Sequence, residues 1–305
     1  MSRITIIDTD PGIDDAVAIL LALSSPEFDV VGITTVAGNI GIKTVTRNAG
    51  RILALAGRSE IPVIPGAAAP LSRKGFDTAD IHGHDGLGGV TFPEQASEPL
   101  PGPACTWIAD LLDRHPEGTI DILALGPLTN IAMLVRERPR SARRIGRLIA
   151  MGGAVEERGN VGPRAEFNIA ADPEAADIVF RAGLPLVLVP LDVTRRVRAT
   201  KADTALLRES GTLAAKASAD LIDAYFQSTG SGESRPLHDP CVMLYAMRPD
   251  LFDLSPLALS VDVGHGEGAG ALGIGEEGAM VSVAMTVQGQ TALAVLIERL
   301  SGSGG

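Results

Sequence analysis

Four carboxylates fall within eight positions at the start of the chain, in Asp8-Thr9-Asp10-Pro11-Gly12-Ile13-Asp14-Asp15. The apolar run Ile4-Thr5-Ile6-Ile7 leads into them, and an apolar helical pattern opens at Ala16. Charges crowded where a buried strand turns into a helix repel one another unless something positive sits between them. The ends of strands in an open α/β sheet are also where ligands bind. The pattern therefore predicts a hard cation and a polar substrate. Helix N-terminal placement accounts for a lone Asp14 or Asp15, at about 0.3–1 kcal/mol each against the macrodipole. It does not account for four acids around a Pro11-Gly12 turn. Asp8 reads as structural, capping the turn through backbone amides.

Two further segments carry polar chemistry. The glycine-punctuated stretch from Arg158 to Asn168 holds Asn160, Glu166 and Asn168, which on spacing alone reads as an ordinary polar loop. His238-Asp239-Pro240 precedes the apolar run Cys241-Val242-Met243-Leu244; Asp239 before proline is a good helix N-cap by itself, and His238 reads equally as a surface histidine.

The elements that must position these residues alternate between short apolar strands and amphipathic helices, the signature of a mostly parallel sheet covered by helices. Strands are expected at 3–9, 29–36, 119–125, 146–151, 185–191 and 279–287, and helices at 14–24, 41–57, 128–137, 172–182, 211–227, 239–247 and 289–300. Asp172-Pro173-Glu174 opens the fourth of these helices with an N-cap acid and a first-turn proline. If the sheet is parallel, Asp8 and Asp10, Gly38-Asn39, Gly126-Pro127, Gly152-Gly153 and Asp192 gather along one edge. Segments 70–102 and 227–238 read as binding loops or lids. The glycine-rich stretch 264–278 carries no assignable chemistry, and 301–305 reads as a frayed tail.

No repeat or long linker interrupts the 305 residues, which predicts one domain over 1–305. A net charge of −11 with no basic stripe argues against a nucleic-acid partner. The chain has no uninterrupted apolar stretch of about 18 residues, which argues against a membrane span, and the first residues lack the regions of a secretory signal. Cys105 and Cys241 lie far apart and match no metal spacing. They suit a reduced, cytoplasmic compartment.

Together the blocks resemble the inosine–uridine-preferring nucleoside hydrolase family. The likeness begins at Asp8-Thr9-Asp10-Pro11-Gly12-Ile13-Asp14-Asp15-Ala16 and continues through Ala37-Gly38-Asn39, Gly126-Pro127-Leu128-Thr129-Asn130 and Met151-Gly152-Gly153. It ends with Gly159-Asn160, Glu166-Phe167-Asn168 and His238-Asp239-Pro240, so the blocks span nearly the whole chain in family order. The resemblance implies a Rossmann-like α/β fold and hydrolysis of ribonucleosides to ribose and free base. It implies one Ca²⁺ per subunit, held by Asp10, Asp15, Asp239 and the backbone carbonyl of Leu125. The ribose diol would complete the shell, held also by Asp14, Asn168 and Asp239, while Asn160 and Glu166 would address the 5′-hydroxyl. Asn39 would sit beside the attacking water, with Asp10 as its general base. His238 would be the leaving-group acid, on the expectation that its imidazole titrates near neutrality.

His82, within His82-Gly83-His84-Asp85-Gly86, would lie near the nucleobase by the same resemblance; His84, His115 and His265 are given no role. Tyr225, Phe226 and Gln227 fall where relatives contact the base, and the following Ser228-Thr229-Gly230-Ser231-Gly232 lacks the tyrosine of pyrimidine-selective relatives. The usual Thr-Arg-Gly stretch is missing near 273–278. A homo-oligomer, dimer or tetramer, is implied. Two rivals remain: a Mg²⁺-dependent haloacid-dehalogenase-type phosphohydrolase, which shares Asp8-Thr9-Asp10 but wants Thr or Val where Gly12 stands, and a non-catalytic Ca²⁺-dependent nucleoside-binding protein.

Overall fold

The structure, a computed structural model, describes residues 2–228 and 232–302. The strands are β1 (Arg3–Thr9), β2 (Phe28–Thr35), β3 (Val63–Pro65), β4 (Ile120–Ala124), β5 (Arg147–Met151), β6 (Leu186–Val189), β7 (Arg198–Thr200), β8 (Ser234–Pro236), β9 (Phe252–Val261), β10 (Leu272–Ile274) and β11 (Ala279–Val287). Nine form one sheet in the order β10-β9-β11-β6-β5-β4-β1-β2-β3. From β3 to β11 neighbours run parallel, while β9 and β10 add antiparallel strands at one edge. The sheet is thus mostly parallel and flanked by helices, as the alternation predicted.

Fully buried parallel strands read as continuous apolar runs because helices cover both faces, and Ile120–Ala124 is buried at every position. One face packs on helices Ile13–Leu23, Leu213–Ser228, Pro240–Met247 and Gly289–Leu300, the other on Ala104–Arg114, Thr129–Glu137 and Pro173–Arg181. Asp172 caps the last of these as expected, its carboxylate accepting from the Ala175 amide at 3.1 Å. β7 and β8 pair as a separate ribbon ahead of His238.

Chain order reverses between β1 and β4: the chain moves outward through β2 and β3 on one side and through β5 and β6 on the other. A crevice opens outside the carboxyl ends at such a switch point. The residues after β1 and β4, Asp10 and Leu125–Gly126, therefore share the place where a ligand can enter.

Departures from the expected elements are local. β9 holds Pro256, which argues against an interior strand; its ladder to β10 covers only Leu259–Val261, so Pro256 lies on an open edge. β10 lies inside the glycine-rich 264–278 stretch. Helices Ala104–Arg114 and Lys201–Ser210 also had no predicted counterpart. Positions 229–231, within the segment that lacks the tyrosine, and 303–305 of the tail lie outside the described residues.

Candidate functional site

Asp10 leaves β1 at the switch point and is 1% exposed. The Asn39 amide, following β2, donates to its Oδ2 at 2.6 Å. Its Oδ1 is buried with no partner among the described residues. Close backbone approach makes this possible: a Cβ on Gly38 would lie 2.1 Å from Oδ2, and one on Gly126 2.3 Å from Oδ1. Any side chain at either glycine displaces the carboxylate.

Asp15 sits on the first turn of the following helix. Its oxygens accept from the Thr9 hydroxyl at 2.5 Å, the Gly12 amide at 3.0 Å and Asn39 Nδ2 at 3.0 Å. Asn39 Nδ2 also reaches the Asp10 carbonyl at 3.3 Å, so this one side chain braces both aspartates. The Thr78 hydroxyl, from the first long loop, donates to Asn39 Oδ1 at 2.9 Å.

Asp239 arrives from the opposite end of the chain. Its carboxylate makes no cap to the helix it precedes, against the simple N-cap reading, because it turns toward the first-turn acids. One ligand atom each from Asp14, Asp15 and Asp239 lies within 4.8 Å of the others, all buried. Asp10 stands beside this triplet rather than in it. Burial and the neighbouring Asp15 push the Asp14 carboxyl up to about 7. Burial, then Asp15, hold Asp10 well above the usual carboxylate range, and burial, then Asp14, do the same for Asp239. Such a cluster, oxygen-only and electrostatically frustrated, could hold a metal ion.

Asn168 closes the other wall. Its Nδ2 donates to the Leu125 carbonyl at 2.6 Å and the Met151 carbonyl at 3.1 Å, tying the ends of β4 and β5. Glu166 accepts from the amides of Asn168 and Ile169 and from that of Gly153 at 2.9 Å, capping helix Phe167–Ala171; burial raises its pKa. Asn160 accepts from the Phe167 amide at 2.8 Å. The stretch 158–168 is thus no ordinary polar loop but one wall of the cleft.

His82 Nδ1 accepts the Ile13 amide at 3.0 Å, at the start of the helix that carries Asp14 and Asp15. His238 Nδ1 pairs with the Thr194 hydroxyl at 2.8 Å. Burial lowers both imidazoles to about 4, so neither titrates near neutrality as His238 was expected to. Asp14, Asn39, His82, Leu125, Asn160, Glu166, Asn168, His238 and Asp239 line one cleft, along with Thr78, Ile81, Met151, Phe167 and Tyr225. Phe226 packs instead between Lys201 and Arg235, at 4.4 and 5.1 Å from its ring centre. Gln227 is exposed and outside the cleft.

Asp8 is structural, but through side chains: its Oδ1 accepts from the Thr34 hydroxyl at 2.5 Å and Asn130 Nδ2 at 2.8 Å. Asp192 faces away, holding the amides of Val155, Glu156 and Glu157. Sequence reasoning missed Thr9, Thr78 and Thr194, whose hydroxyls orient site residues. Nothing in their own spacing marks them.

The inosine-uridine preferring nucleoside hydrolase family profile matches residues 5–294, nearly the whole chain. The chain belongs to this family. The non-specific ribonucleoside hydrolase RihC of Escherichia coli O9:H4 (strain HS) is 44% identical over 259 residues, 84% of this chain and 83% of RihC. The pyrimidine-specific ribonucleoside hydrolase RihA of Photobacterium profundum is 43% identical over 256 residues, 83% and 82% of the two chains. A purine-preferring ribonucleoside hydrolase from Gardnerella vaginalis superposes with a TM-score of 0.92 at 32% identity, over 98% of both chains. A plant nucleoside hydrolase does so at 0.91 and 35%, over 99% of both. As a nucleoside hydrolase the protein is an N-glycosyl hydrolase. No described helix is long and apolar enough to cross a membrane.

Proposed function

We propose that this nucleoside hydrolase cleaves the N-glycosidic bond of ribonucleosides with the help of one Ca²⁺ per subunit, releasing ribose and the free base. The convergence of Asp14, Asp15 and Asp239 within 4.8 Å, beside a buried Asp10 oxygen that has no partner among the described residues, carries the reading. All these donors are oxygens and, among the described residues, no cysteine or histidine joins them, which suits a hard cation of about six to eight ligands over zinc. Asp10, Asp15, Asp239 and the Leu125 carbonyl would hold the ion, with Asp14 at its side. When bound, the ion supplies a fixed positive charge beside the vicinal hydroxyls and the attacking water.

The protein's own residues do the rest. Asp10, held at Oδ2 by Asn39, takes the proton of water as it adds to the anomeric carbon. The surplus of carboxylates favours the positive charge that develops on the sugar. Asp14, Asn168 and Asp239 orient the diol, and Asn160 and Glu166 the 5′-hydroxyl. His82 and His238 meet the base. The depressed pKa of His238 supports a neutral imidazole giving a hydrogen bond to the departing base, rather than an imidazolium giving up its proton.

The phosphohydrolase and binding-protein readings are not favoured, given the family match. The broader reading is of one domain, cytoplasmic and self-associating. One sheet built from strands spread along the whole chain supports the first, the free buried Cys105 and Cys241 the second, and Leu206 and Leu213, exposed by 52% and 67%, the third. A panel of purine and pyrimidine ribonucleosides, with Ca²⁺ or with chelator, tests the function. Free ribose without phosphate release is expected only with the ion present. No reducing sugar from any nucleoside would overturn the reading.

A further inference from the structure

Thr194 ends the short helix Leu191–Thr194 and is fully buried, and among the described residues its hydroxyl has a single hydrogen-bond partner, Nδ1 of His238 at 2.8 Å. That contact can be written two ways. If Nδ1–H donated to the hydroxyl oxygen, the hydroxyl hydrogen would be buried without an acceptor, a state folded proteins avoid. If the hydroxyl donates, its hydrogen is satisfied and Nδ1 is the acceptor. A neutral imidazole with Nδ1 as acceptor carries its proton on Nε2, the ring nitrogen left for the cleft that His238 lines. His82 shows the same arrangement with no ambiguity of direction, since the backbone N–H of Ile13 can only donate to its Nδ1.

We propose that Thr194 is a positioning residue: its hydroxyl fixes His238 as the Nε2–H tautomer and so aims a hydrogen-bond donor at the leaving nucleobase. The two histidines then offer matching donors, and the cleft selects bases that present acceptor atoms (ring nitrogens or carbonyl oxygens) along the edge that departs. No proton transfer is required of His238 in this role. As the glycosidic bond breaks, its electron pair moves onto the base, and the hydrogen bond from Nε2–H strengthens. The base departs as an anion that takes its proton from solvent water, balanced by the proton that Asp10 took from the attacking water and returns to solvent. This inference rests on the nucleoside hydrolase reading of the cleft.

The test joins spectroscopy to kinetics. In full-length protein labelled with ¹⁵N-histidine, the ring nitrogens of His238 report the tautomer without any need for activity. The Nε2–H form is expected in the wild type, and a mixture in Thr194→Val. With a ribonucleoside and Ca²⁺, Thr194→Val should lose about 10-fold in kcat at nearly unchanged KM, the size expected for one aligned hydrogen bond in the transition state. Thr194→Ser, which keeps the hydroxyl, should restore both signals. A wild-type His238 in the Nδ1–H form overturns the proposal whether or not the variant folds. A Thr194→Val enzyme with wild-type kcat overturns the role of Thr194 alone, whereas a wild type that releases no ribose overturns the hydrolase reading beneath it.

Discussion

Asp10 is fixed less by what bonds to it than by what cannot stand beside it. Gly38 and Gly126 approach its two oxygens from either side, and neither has a positive φ, so what they contribute is the missing Cβ rather than an unusual backbone. This makes a sharp prediction. Gly126→Ala should fold, since its backbone suits alanine, yet it should push the carboxylate out of place. Its kcat should drop by about 10²- to 10⁴-fold, matching Asp10→Asn, as loss of a positioned general base does, while circular dichroism and Tm stay close to wild type. Near-normal kcat in Gly126→Ala would show that the position of Asp10 does not govern turnover. The aspartates themselves were legible in the sequence as an over-dense cluster of charge. The glycines were legible as members of the sheet-edge blocks but not as neighbours of Asp10, because steric closeness to a residue 28 or 116 positions away leaves no local pattern.

The elements divide in the same way. β1, β2, β4, β5 and β6 announced themselves because strands covered on both faces are mainly apolar. The convergence of their carboxyl ends followed from the parallel order. β9 stayed hidden because Pro256 is tolerated only where the ladder is one-sided, and that is a fact of pairing, not of composition. The wall from Asn160 to Asn168 looked like a polar loop because the backbone groups that Glu166 and Asn168 serve, the Gly153 amide and the Leu125 and Met151 carbonyls, come from the ends of other strands. Glu166 shows the consequence. Its carboxylate caps helix Phe167–Ala171 and reaches the Gly153 amide at the end of β5, so it joins two elements as well as facing the cleft. Glu166→Ala should cost about 1–2 kcal/mol in urea unfolding, the range for losing a helix cap. It should also raise KM through a displaced Asn168. Glu166→Gln, which keeps one acceptor oxygen, should recover most of the stability. If Glu166→Ala unfolds at the wild-type urea midpoint, the carboxylate is not what ties the two elements together.

Over the whole molecule, the acidic centre sets folding stability against catalytic readiness. In the metal-free protein, burial and Asp15 hold Asp14 near 7, and Asp10 and Asp239 are raised too, whereas an unfolded aspartate titrates near about 3.9. Folding therefore retains protons that the unfolded chain releases. This stability is complete below the unfolded pKa and is lost as pH rises through the folded values, up to about 7 for Asp14. Chelator-treated protein should accordingly melt at a lower temperature at pH 8 than at pH 5.5. A bound cation reverses the sign of the argument, since it favours the ionised carboxylates and displaces their protons. At 100 times its Kd it should add about 2.7 kcal/mol. The Tm gain from Ca²⁺ should thus be larger at pH 8 than at pH 5.5, and titration calorimetry in buffers of differing ionisation enthalpy should register proton release. The chain's net charge of −11 also grows more repulsive with pH, so the melts belong in about 0.5 M salt, where exposed charges are screened and buried ones much less so. Asp14→Asn removes one of the three raised carboxyls and a negative neighbour of Asp239, so in chelator the drop in Tm between pH 5.5 and pH 8 should shrink. A drop as large in Asp14→Asn as in the wild type at high salt would show that Asp14 is not among its sources.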